Sequence, residues 1–163
     1  MLAQKRNKIQ IILLIILVLI TGYFREYLFK TLNLIIDYGE NQEVKNLFQG
    51  VWASIADWEE GNLILLKWIM TIVFTSAFLW INLMFAKVLF QTKKYNTIII
   101  LIYSGIFLLA AFSIVIGKLI PSIYSDCFYF SRWMMGAVQS PLLTALICLI
   151  IFYSNQNSSQ KTN

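Results

Sequence analysis

Apolar residues in this chain gather into long runs, and short polar intervals separate them. The run over 9–24, IQIILLIILVLITGYF, is free of charge. At 1.5 Å per residue it reaches about 24 Å, short of a hydrocarbon core of about 30 Å. A first span is therefore expected over about 8–29, continuing past Arg25 and Glu26. Tyr23, Phe24, Tyr27 and Phe29 would form an aromatic belt at its outer end. The basic flank before the run resembles that of a signal peptide, but no small-residue cleavage site follows, and an uncleaved span is the better reading.

Within the polar interval that follows, Val44, Leu47, Phe48, Val51, Trp52 and Ile55 recur at helical spacing. That pattern predicts an amphipathic helix over about 42–58, lying on the membrane or capping the bundle and ended by Gly61. A second span is predicted over about 63–89, a third over 97–117 and a fourth over 132–153. The interval 118–131, with Pro121 and Asp126, reads as a loop, and 154–163 as a polar tail. The fold class expected is all-α: four transmembrane helices with an external amphipathic helix between spans one and two.

Polar residues inside the runs are few and ordered. Measured from Lys67 at 100° per residue, Thr71, Asn82 and Thr75 fall at about 40°, 60° and 80°. Such an arc is expected to face protein rather than lipid. In the stretch SRWMMGAVQSPLLTA, angles measured from Arg132 place Gly136, Gln139, Ser140 and Thr144 within an arc from about −20° to 120°. Pro141 removes a backbone donor and frees the carbonyl of Ala137, which Ser140 or Gln139 is placed to receive. This seam reads as a packed, kinked helix meeting Thr71, Thr75 and Asn82. A polar cavity for a lipid or peptide is the sharper alternative. On the third run, Ala110, Ser113 and Gly117 share one face and Ser104 and Ala111 another, so close neighbours are expected on two sides.

Composition agrees with lipid as the solvent. Of 163 residues, 59% are hydrophobic and 13% charged, against roughly 25% charged in soluble domains. Four spans place both termini on one side. That side holds seven basic residues and no acid, whereas the other holds six basic residues and all eight acids. The positive-inside rule then puts both termini on the cytoplasmic side. The net charge of +5 is distributed as a topology signal, not as a nucleic-acid footprint.

Candidate chemistry is thin. There is no histidine, which removes the commonest general base and transition-metal ligand. Cys127 therefore lacks the base a nucleophilic thiol requires. Asp57, Glu59 and Glu60 read as a solvated helix end. No catalytic, metal or cofactor site is expected. The binding or interaction candidates are Arg25, Glu26, Lys67, Asn82, Arg132, Gln139 and Ser140. Arg25 and Glu26 point about 100° apart on a helix. Glu26 is expected to pair with Arg132, and Arg25 with Asp57, Glu59 or Glu60, unless the set forms an outer-leaflet site for an anionic headgroup or a peptide.

The segments TGYFREYLFKTLN (21–33), EEGNLILLKW (59–68) and SRWMMGAVQSPLL (131–143) resemble those of a family of small bacterial membrane proteins associated with exosortase systems. Exosortases sort and cleave exported proteins at the membrane using cysteine, arginine and histidine. The resemblance implies a non-enzymatic accessory role beside an exosortase-like enzyme on another chain, with membrane lipid and that protein as partners. The alternative is a small transporter or lipid-binding protein that uses the polar seam between spans two and four.

Overall fold

The computed structural model describes residues 2–38, 48–90 and 93–160. Every element among them is helical: α1 (Leu2–Tyr38), α2 (Val51–Ala56), α3 (Glu60–Phe90), α4 (Lys93–Leu119), a 3-10 turn at Pro121–Ile123, α5 (Tyr124–Val138) and α6 (Pro141–Gln160). Three segments are long and apolar enough to cross a membrane: Lys8–Tyr38, Glu60–Leu89 and Tyr95–Leu119. Pro121–Val138 and Pro141–Ile150 together also pass, but they are bent by 67° across a short break. The chain is thus an all-helical membrane protein with three spans, or four if the bent pair is one.

Several boundaries differ from those the pattern predicts. α1 does not stop near residue 29 but continues to Tyr38. Leu32 and Ile35 are fully buried there, so tertiary packing holds the helix beyond the length a bilayer requires. Gly61 does not end a preceding helix, because it lies in the first turn of α3. Glu60 beside it places an acid at the positive end of the helix dipole. The interval 118–131 is not a loop. Pro121, with its preset φ, opens a turn that leads straight into α5.

The first six residues of the predicted amphipathic helix, 42–47, lie outside the described residues. Of the described remainder, 48–58, only the six-residue α2 is helical, preceded by Gly50 at φ 61°.

The chain divides into two compact units. In the unit Tyr23–Phe74, Leu32, Ile35, Ala56 and Leu63 form a core against which Phe48, Trp52 and Ile55 pack. Tyr27 meets Trp52 edge-on, with ring centroids 6.5 Å apart, and Phe24 and Phe29 both lie against Phe74.

The unit Met1–Gly22 with Thr75–Asn163 has its own core: Val18, Phe78, Ile81, Phe85, Ala86, Tyr95, Ile99, Tyr103, Val138 and Ile147. α5 runs back along α4 on the small face Ala110–Ser113–Gly117. Ser113 Oγ donates to the Cys127 carbonyl at 2.9 Å. A Cβ at Gly117 would sit 2.9 Å from Cys127 Cβ, so only a residue without one permits this approach. The face carrying Ser104 and Ala111 is exposed instead.

Candidate functional site

The break between α5 and α6 is built from QSP. Gln139 takes φ −97° and ψ 25° and leaves the helix. Ser140 then serves both ends. Its backbone N–H and its hydroxyl donate to the Ala137 carbonyl at 3.2 and 2.7 Å. Its Oγ also accepts from the Leu143 N–H at 3.4 Å. Serine at the N-cap followed by proline at the first helical position is the usual opening of a helix. The carbonyl that Pro141 cannot serve is thus received by Ser140. The same serine caps the next helix, which makes a true break of what the wheel treats as a kink.

Around this break five polar side chains converge. Gln139, 2% exposed, donates through Nε2 to Thr75 Oγ1 at 2.9 Å. Asn82, 1% exposed, places Nδ2 at 2.8 Å from the Tyr103 hydroxyl, 2.9 Å from the Phe78 carbonyl and 3.2 Å from Thr144 Oγ1. The Tyr103 hydroxyl donates in turn to the Val138 carbonyl at 3.4 Å. Since a carbonyl can only accept, Phe78 fixes which end of the Asn82 amide is nitrogen. The seam therefore joins α3 to α4 and to the start of α6. Every side chain in it is uncharged, so it can pin helices together and exchange neutral hydrogen bonds, and it holds no ionisable acid–base pair.

The seven sequence candidates separate. Asn82, Gln139 and Ser140 come together at the break. Arg132 does not join them: it is exposed, and its neighbour Ser131 is buried. The angle that aligned Arg132 with Gln139 assumes a continuous helix through 139, but α5 ends at Val138.

Lys67 lies in the other unit, where its Nζ donates to Asn33 Oδ1 and its carbonyl accepts from Thr71 Oγ1 at 2.8 Å. Arg25 is half-buried, with Cζ 4.8 Å from the centroid of the Phe29 ring, a cation–π contact. Glu26 is exposed, and it and Arg132 belong to different units.

Two partners were not singled out from the pattern. Tyr103 lies mid-run, away from the interfaces where tyrosine is common, and Asn33 is a lone carboxamide in an apolar turn. Each of those anomalies is visible in the sequence. Cys127 and Cys148 are both free thiols. Among the described residues no three of His, Cys, Asp and Glu cluster as a metal site would need. Comparison of the chain with protein-family models, with curated proteins and with solved structures finds no match.

Proposed function

We propose that this chain is a non-enzymatic accessory subunit of a bacterial inner-membrane protein-export or surface-sorting complex, of the exosortase-associated kind its three segments resemble. The observation that carries the reading is the mutual pairing of the seam: Gln139 with Thr75, and Asn82 with Thr144 and Tyr103. Polar groups that answer one another hold a bundle together and leave its outward faces for lipid and for a membrane partner.

In this reading the bent pair is the fourth crossing. Its support is the order of contacts down α3: Thr75 meets Gln139, Asn82 meets Thr144, and Ile147 joins the core cluster of Phe85 and Ala86. α6 thus advances in the same direction as α3. Both termini then share the cytoplasmic side with the seven basic residues. The segment around α2 belongs to the external side.

The test is photo-crosslinking in native membranes from probes on α4 at exposed Ser104 and at partly exposed Gly105, where a Cβ would meet nothing within 4 Å. An adduct with a membrane-embedded sorting or export protein is expected. Adducts with lipid alone, from both positions, overturn the proposal.

A second reading, a small transporter, is favoured by one observation: a bent helix pair, together long and apolar enough to cross a membrane, whose break lies among buried polar residues. Such breaks are where transporters receive their substrates.

A further inference from the structure

One atom of the seam is left over. Asn82 Oδ1 is buried and has no hydrogen-bond partner among the described residues. An amide oxygen accepts up to two hydrogen bonds. Leaving it without any, away from water, costs about 1–3 kcal/mol. The Asn82 nitrogen and the Tyr103 hydroxyl both donate elsewhere. The Asn82 nitrogen faces the Phe78 carbonyl, Tyr103 and Thr144. The Tyr103 proton goes to the Val138 carbonyl. Turning the amide over would not help, since its nitrogen would then lose the Phe78 carbonyl. The oxygen is therefore an acceptor that no described residue serves, on a side chain whose nitrogen meets Tyr103 and Thr144 beside the helix break.

We propose that the break between α5 and α6 is a binding site for a small uncharged hydrogen-bond donor, an O–H or N–H compound of the size of water or ammonia, received by Asn82 Oδ1. The charge state follows from the walls. Thr75, Asn82, Tyr103, Gln139, Ser140 and Thr144 are all neutral, and an ion without a counter-charge is far costlier to hold in a membrane interior than a neutral donor. The donor character follows from the oxygen. The location follows from the break, where the last carbonyls of α5 and the capped start of α6 replace a continuous helical ladder with separate polar groups. The site goes beyond the accessory role and deepens the transporter reading. Its test does not depend on the cross-linking result.

The experiment is water-edited solid-state NMR on the full chain, isotope-labelled and reconstituted in lipid bilayers. The Asn82 carboxamide signal is assigned by its loss in Asn82→Leu, or in Asn82→Asp should the leucine variant not fold. The expected result is that this carbon receives magnetisation from water at a rate comparable with that of exposed Asn62, although Asn82 is 1% exposed. Ammonia added at alkaline pH distinguishes the source. A saturable shift of the Asn82 signal, absent with sodium chloride, assigns the site to an exchangeable solute, and fast transfer without such a shift assigns it to water. Transfer as slow as at buried Ile99, with no response to ammonia, overturns the proposal.

Discussion

Gly22 of α1 lies directly against Pro141, the first residue of α6. A Cβ at Gly22 would stand 2.8 Å from Pro141 Cγ and 3.2 Å from its Cδ. The same hypothetical atom is 3.9 Å from the Phe78 ring on α3. The rigid pyrrolidine ring cannot swing aside as a lysine or methionine end would, so helix α1 meets the start of α6 only because residue 22 has no side chain. The break is thereby held from outside as well as by its own serine.

Gly22→Ala is accordingly expected to destabilise the protein by roughly 1–3 kcal/mol, the usual cost of overpacking. The measurement is the unfolding midpoint of purified protein in detergent. Gly105→Ala is the control: a Cβ there meets nothing within 4 Å, and alanine favours helix over glycine, so its midpoint should hold or rise. Equal losses at both positions would mean that the contact with Pro141 is not tight.

Ser140 is the second holder of the break. Ser140→Ala removes the hydroxyl that receives the Leu143 N–H and serves the Ala137 carbonyl. A cost of about 0.5–2 kcal/mol is expected, as for other N-caps. The double variant Ser140→Ala, Pro141→Ala removes both signals that start α6. Spin labels at exposed Trp133 and Leu149 should then report a longer separation, as the 67° bend opens toward a straight helix. An unchanged distance would show that Gly22 and the seam hold the bend without the local signals.

Much of this was legible. The face Ala110–Ser113–Gly117 reads as a close-packing stripe and is the one α5 covers. The arc on α3 reads as facing protein, and three of its four residues meet polar groups of other segments: Lys67 with Asn33, Thr75 with Gln139 and Asn82 with Thr144. Thr71 donates to the Lys67 carbonyl of its own helix. Helix phase is a local property, however, and it does not run through SRWMMGAVQSPLLTA. The 100° step fails once Gln139 leaves helical dihedrals, which is why Arg132 falls outside the seam. The dipeptide Ser140–Pro141 is a helix-start signal, and treating it as a kink misses the break. Tertiary partners were the other blind spot. Nothing in the periodicity says that Asn33 will meet Lys67 or that Tyr103 will bridge Asn82 and Val138, because those pairings depend on which helices lie side by side.

The contact between Gln139 and Thr75 can be measured as a coupling. Gln139→Leu and Thr75→Val should each destabilise, and the double variant should lose less than their sum. Hydrogen bonds between membrane helices contribute about 0.6 kcal/mol on average and up to about 1.7. A coupling near the upper end is expected, because Gln139 is almost fully buried and donates at 2.9 Å. Strict additivity would remove this pair from the seam and leave Asn82 as its only bridge.

The number of crossings can be decided by the sidedness of two positions. If the bent pair is a fourth span, α6 emerges on the same side as the start of α1. If it enters and turns back, α6 ends on the opposite side. The order of contacts along α3, from Thr75–Gln139 through Asn82–Thr144 to the cluster containing Ile147, Phe85 and Ala86, favours the first. Single cysteines at Lys8 and Tyr153, in a chain whose own Cys127 and Cys148 are replaced by serine and alanine, give the readout in intact cells. A membrane-impermeant maleimide should leave both unlabelled from outside and label both after permeabilisation. Labelling of position 153 alone in intact cells would make the α5–α6 pair re-entrant and place the C-terminal end of the chain outside.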